Sequence, residues 1–378
     1  RKRIALMDEV ADRIGHPDNT LGTMLRDGAC LTGWQVDSGV FRKEIKPPTL
    51  TAQELVASSK LIAEETVSSV LKNEDPDVAA KVWEATLEEH EKGWIELLPE
   101  GEEPPAGVIV SPRFGVVQKD KIRPIDNSRS ALRSKSKKSH VNDACGSLEK
   151  TSTDGIDTIV RAALLLIERS KSAGGPRRPE DRIVGRTYDL KSAYKQIPLA
   201  PEERKFAWIA LLDPKTGVVR YAKLLASPFG ATASVHTFLR CSELLKKLCR
   251  VAGLIPTLAY FDDFTTLSKQ GASAHIDRTV CYLFGVLGWD LSKEEVKNAP
   301  FSERFRVLGV EISLERQEEG IVEVSNTPGR FEETWTRPST ASWPVAGSTP
   351  RKGRALGPDS SLLTSKWSAG PPKLPSYP

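Results

Sequence analysis

Thr257-Leu-Ala-Tyr-Phe-Asp-Asp-Phe-Thr-Thr-Leu267 places two acids, Asp262 and Asp263, between two apolar arms. Strand side chains alternate faces, so a tight turn here presents carboxylates at one edge of a sheet. A second apolar run, Ile183 to Leu190, ends in Asp189. If the two runs are neighbours, three carboxylates converge, and such a cluster is costly until cations neutralise it. Mg²⁺ is the natural candidate, because it binds through one or two carboxylates plus phosphate oxygens. Two such ions, with Mn²⁺ as a substitute, activate a hydroxyl and stabilise a departing pyrophosphate. Taken alone, Asp-Asp is more often the polar tip of an exposed turn.

Working outward, Phe114–Val117 and Ile122–Ile125 read as strands around Lys119-Asp120-Lys121. Phe206–Leu212 and Val218–Leu225 flank the hairpin signal Asp213-Pro-Lys-Thr-Gly217. Val235, Phe238, Leu239, Leu245 and Leu248 share one helical face, as do Ile276, Val280, Leu283, Phe284 and Leu287. Phe305–Ile312 reads as one closing strand. The alternation predicts an α+β fold, with helices packed on one sheet.

Residues 1–100 read as a helical accessory region. Thr51-Ala-Gln-Glu54 has capping-box spacing, and a further helix is expected over Val78–Leu98. Gly101–Gly107 reads as a linker, 101–330 as the main domain, and 331–378 as a tail rich in Pro, Gly and Ser, either disordered or the stub of a further subdomain, a truncated thumb.

Composition narrows the class. The chain has 378 residues, 39% of them apolar, enough to bury a core. No apolar run approaches the roughly 20 residues that cross a bilayer, so no membrane partner is expected. The net charge of +4 does not by itself demand nucleic acid. The basic run Arg129, Arg133, Lys135, Lys137 and Lys138 reads either as a phosphate contact or as a solvated loop. Five cysteines without a C-x-x-C pair fit a reducing intracellular compartment, nucleus or cytoplasm. The start at Arg1 suggests a fragment or a processed product.

Six segments, in order, resemble the reverse transcriptase family. Tyr260-Phe-Asp-Asp263 is similar to its Y-x-D-D motif, and Thr187–Leu199 to its first catalytic motif. Ser227-Pro-Phe-Gly230 resembles the P-x-G motif, with Ser227 where the family often has Leu. Lys121-Ile-Arg-Pro-Ile-Asp126 resembles the fingers motif. Gly288-Trp-Asp-Leu291 and Val307-Leu-Gly-Val310 resemble the last two palm motifs.

The resemblance implies a right-hand polymerase, fingers and palm with an antiparallel palm sheet, that adds dNTPs to a DNA primer on an RNA template. It implies Asp189, Asp262 and Asp263 as the catalytic acids, with Asp189 and Asp262 the principal metal ligands, Asp263 a weaker partner, and the Leu190 carbonyl completing one shell. Lys121 and Arg123 are implied to bind the triphosphate, Arg123 through its forked donors. Tyr194 is implied to reject a 2′-hydroxyl, while a core aromatic is the plain alternative. Pro228, Phe229 and Gly230 would shape the nucleotide pocket, and Leu308 and Gly309 would grip the primer. No single Lys stands where the family places a pyrophosphate acid: Lys293 and Lys297 flank Glu294 and Glu295. Two other functions stay open: a degraded palm that only binds nucleic acid, and an RNA polymerase, against which the bulky Tyr194 argues.

Overall fold

The computed structural model describes residues 2–72, 75–118, 121–129, 140–171, 178–294, 298–327 and 365–368. In chain order the helices are α1 (Ile4–Arg13), α2 (Leu21–Asp27), α3 (Ala52–Ala57), α4 (Ser59–Lys72), α5 (Pro76–Glu91), α6 (Ile156–Lys171), α7 (Thr232–Val251) and α8 (Ser273–Val286). The strands are β1 (Gly33–Trp34), β2 (Arg42–Lys46), β3 (Ile95–Leu97), β4 (Val110–Gln118), β5 (Lys121–Asp126), β6 (Cys145–Lys150), β7 (Ile183–Asp189), β8 (Trp208–Leu212), β9 (Val219–Leu224), β10 (Thr257–Tyr260), β11 (Asp263–Lys269), β12 (Arg304–Val307), β13 (Val310–Ser313), β14 (Ile321–Asn326) and β15 (Ser365–Ser368). The chain is thus a mixed α and β protein.

It divides into two compact units. The first comprises Arg1–Thr153, Leu190–Ala252 and Tyr282–Leu291; the second comprises Asp154–Asp189, Gly253–Cys281 and Ser292–Pro378. The expected boundary near Gly101 does not coincide with a unit boundary.

In the first unit, a five-stranded sheet runs β3-β9-β8-β4-β5, and β4 pairs with β8 in parallel. Both expected hairpins form here, β4 with β5 and β8 with β9. Residues before Gly101 are part of this sheet and its cover. The α4 hydroxyl of Thr66 donates to the Val110 carbonyl at 2.9 Å, and Val70 packs with Val110, Trp208 and Ala210. The capping box at Thr51 forms as expected.

The helix expected over Val78–Leu98 is shorter. α5 stops at Glu91, and Ile95–Leu97 pairs antiparallel with β9. Gly93, at φ +69°, donates to His90 O, and Trp94 N donates to Glu89 O. These two bonds are the Schellman ending, which a glycine with positive φ makes cheap.

In the second unit, β10-β11-β7 form an antiparallel sheet and β12-β13-β14-β15 another. Their core joins Ile159, Val160, Ala163 and Ile167 of α6 to Ile183, Leu258, Leu267, Phe305, Ile312 and Val322. The single strand expected over Phe305–Ile312 is instead a hairpin. Leu308 and Gly309, at φ +51° and +75°, form its two-residue turn. Positive φ at both central positions matches the right-handed strand twist. Of the tail, only 365–368 is described, as a strand paired to β14. The expected basic run beyond Arg129 lies outside the described residues.

Candidate active site

The antiparallel pairing of β11 with β7 sets Asp263 opposite Asp189, Thr265 opposite Thr187 and Leu267 opposite Gly185. Opposed residues put their side chains on one face, with Cβ atoms roughly 5 Å apart. The threonine pair below the acids is closed by hydroxyls 3.3 Å apart. Asp262 follows Phe261 in the two-residue turn between the paired Tyr260 and Asp263. All three aspartates are half-buried. The two runs that end in acids are therefore neighbours, and their acids lie at one end of one sheet.

The turn itself is unusual. Phe261 has φ +51°, a conformation that costs a bulky residue roughly 1–3 kcal/mol. Positive φ at the first central position alone is the II′ pattern, where glycine is the ordinary choice. Tyr260 and Phe261 meet edge to face, ring centroids 5.0 Å apart.

Neighbouring backbone holds this end in place. Ser292 N donates to Asp189 O at 2.7 Å. Asp154 closes the free edge of β10: its N–H donates to Ala259 O at 2.9 Å, and its Oδ2 accepts from Ala259 N at 3.0 Å. Thr187 Oγ1 donates to the Arg306 carbonyl at 3.1 Å, which ties the Asp189 face to the hairpin bearing Leu308 and Gly309. Asp154 carries no motif, and no pattern in the chain marks it.

Among the described residues, no group of three or more His, Cys, Asp or Glu side chains is gathered as a metal-holding cage. The backbone fixes a cross-strand pair with a third acid in the adjoining turn. All donors are hard carboxylate oxygens, and Mg²⁺ needs only one or two of them beside phosphate oxygens, so this set fits that ion.

Apart from Lys293 and Lys297, the remaining motif residues lie in the first unit, where three of the expected motifs meet. Gly230 has φ +123°, and a Cβ there would stand 2.4 Å from the Asp126 carbonyl, so P-x-G abuts the end of the fingers motif. Asn142 Nδ2 donates to Gly230 O at 3.1 Å. Tyr194 lies 5.4 Å from Phe229 and 5.1 Å from Phe238, ring centre to ring centre. Tyr194 and Pro228 are buried, while Phe229 is exposed. Arg123 is exposed on β5; of Lys121 only the backbone, at the start of β5, is described. Leu190 is buried and bridges Leu291. Lys293 is exposed, and Lys297 lies outside the described residues.

A buried charge network absent from the expectations ties two of these motifs, through Asp126 and Lys195. Arg113 donates to Asp126 at 2.7 Å and to Glu89 at 2.9 Å, and Lys195 reaches Glu89 at 3.2 Å. Burial opposes ionisation of Asp126, but the Arg113 guanidinium prevails and holds its carboxyl below the usual range.

No protein-family model matches the chain, and no curated protein matches it.

Proposed function

We propose that the chain is an RNA-directed DNA polymerase that adds dNTPs to a primer 3′-hydroxyl. The observation that supports this most strongly is the register of Asp189 opposite Asp263, with Asp262 in the adjoining strained turn. Order and spacing of the six motifs give the reading its substrate class. Asp189, Asp262 and Asp263 would hold Mg²⁺. Bound there, the metal supplies Lewis acidity that activates a hydroxyl and offsets phosphate charge.

The protein's own groups do the rest. The half-buried aspartates concentrate negative charge at one sheet end. Lys121 and Arg123 take triphosphate oxygens, Arg123 through parallel N–H donors. Tyr194 excludes a 2′-hydroxyl by bulk, and the Leu308–Gly309 turn orients the primer end. Template and primer are RNA and DNA in this reading.

The test is primer extension on an RNA template with dNTPs and Mg²⁺. Template-dependent extension supports the proposal. Binding of the primer–template with no extension would favour a palm that only holds nucleic acid.

A further inference from the structure

We propose that Asp277, on α8, is a positioning residue that fixes the register of the catalytic strand β7. The proposal rests on the reading of Asp189 as catalytic. Alternation along β7 sends Thr187 and Asp189 to one face and Arg186 and Tyr188 to the other. On that second face, Arg186 Nη1 lies 2.8 Å from Asp277 Oδ1, and Tyr188 Oη donates to the same oxygen at 3.0 Å. The Arg186 guanidinium also lies 4.6 Å from the Tyr188 ring centre, and its Nη2 donates to Asn298 Oδ1. One carboxylate oxygen thus holds two alternate residues of one strand, and Tyr188 immediately precedes Asp189.

Burial makes this arrangement demanding. Arg186 is 7% exposed and Tyr188 3%. Burial, reinforced by the Asp277 charge, pushes the Tyr188 phenol well above its ordinary range, so it stays a donor. The Asp277 side chain is 33% exposed, so the ion pair is only partly buried and adds little stability. What it provides is a unique fit. An apolar contact tolerates sliding, whereas two donors on one oxygen do not. A one-residue slip of β7 would turn every side chain to the opposite face and carry Asp189 away from Asp263. Cys281, one turn along α8, brings its Sγ to 3.8 Å from the same Asp277 oxygen.

The experiment has two arms. In the first, Asp189→Cys and Asp263→Cys are combined, and cross-strand disulfide formation under mild oxidation is followed by peptide mapping. The same pair is then placed in the apolar background R186L/Y188F/D277L, chosen because such replacements preserve folding. The disulfide should form in the parent background and fall by about fivefold or more in the apolar one, since it requires close Cα atoms and aligned Cβ vectors. Equal yields overturn the proposal, and so does a parent background that forms no disulfide.

In the second arm the aspartates are intact, and Asp277→Asn is compared with the parent in primer extension. The expected loss is in kcat, about a hundredfold, as for an ångström-scale misplacement. The KM for dNTP should stay within about twofold of the parent value. A rise in KM with unchanged kcat overturns the positioning role. A parent that extends no primer, with the disulfide contrast intact, removes the polymerase reading and leaves the register role standing.

Discussion

Asp189 and Asp263 face each other across adjacent antiparallel strands, although 73 residues lie between them in the chain. Like charges directly opposed destabilise a sheet pair. Conversion of Asp263 to Asn should therefore raise or leave unchanged the thermal midpoint while lowering nucleotide addition by on the order of 10²-fold or more. A fall in stability that matched the fall in activity would make Asp263 a structural acid.

Phe261 stores backbone strain in the turn that carries Asp262. Phe261→Gly should relieve it, stabilising the fold by about 1 kcal/mol in denaturant titration. The freed turn should hold Asp262 less firmly and lower kcat. A variant that is less stable than the parent would remove the strain argument.

Gly230 meets the Asp126 carbonyl so closely that no Cβ fits. Gly230→Ala should destabilise by about 1–3 kcal/mol. Its KM for dNTP should also rise, because P-x-G and the fingers motif are held together there. Unchanged stability and KM would contradict both statements.

Tyr194 packs between Phe229 and Phe238. Tyr194→Ala should raise the kcat/KM for ribonucleotides relative to deoxynucleotides, since rejection by bulk is a clash and not an attraction. If the ratio stays constant in a folded variant, the ring is core alone.

The histidines set an acid limit. Burial pushes His16 and His140 down to about 4 from an ordinary value of 6.5. Below about pH 6.5 the unfolded chain takes up protons that the folded chain refuses, so stability falls with pH through that window. His140 also caps the turn at Val141, its Nδ1 accepting the Val141 N–H at 2.9 Å. His140→Asn keeps a cap acceptor and should flatten the decline in thermal midpoint between about pH 6.5 and about pH 4.5. An equally steep decline in the variant would assign the acid sensitivity elsewhere.

Local patterns predicted most of the elements that build the site. Apolar runs ending in Asp189 and flanking Asp262-Asp263 read as strands, but their pairing entered only as a condition, which the register of β7 with β11 supplies. The capping box at Thr51 and the hairpin around Thr216 were equally legible, because each rests on neighbouring residues. The end of α5 at Gly93 and the turn at Leu308 were not. There a glycine, Gly93 or Gly309, marks the break, but the apolar residues around it read as a continuing element. Asp154, Arg113 and Glu89 escaped for another reason: each acts on residues more than ten positions away, and a lone charge carries no sign of its partner. The segment before Gly101 looked separate by composition, yet its strand β3 and helix α4 complete the sheet of the first unit.

The most direct test is primer extension on an RNA template by the parent and by Asp189→Asn and Asp262→Asn, with dNTPs, Mg²⁺ and a thermal melt on each protein. The parent should extend in a template-dependent way, and each variant should lose at least about 10³-fold with its melting midpoint preserved. Parent-level extension by either folded variant would contradict this expectation.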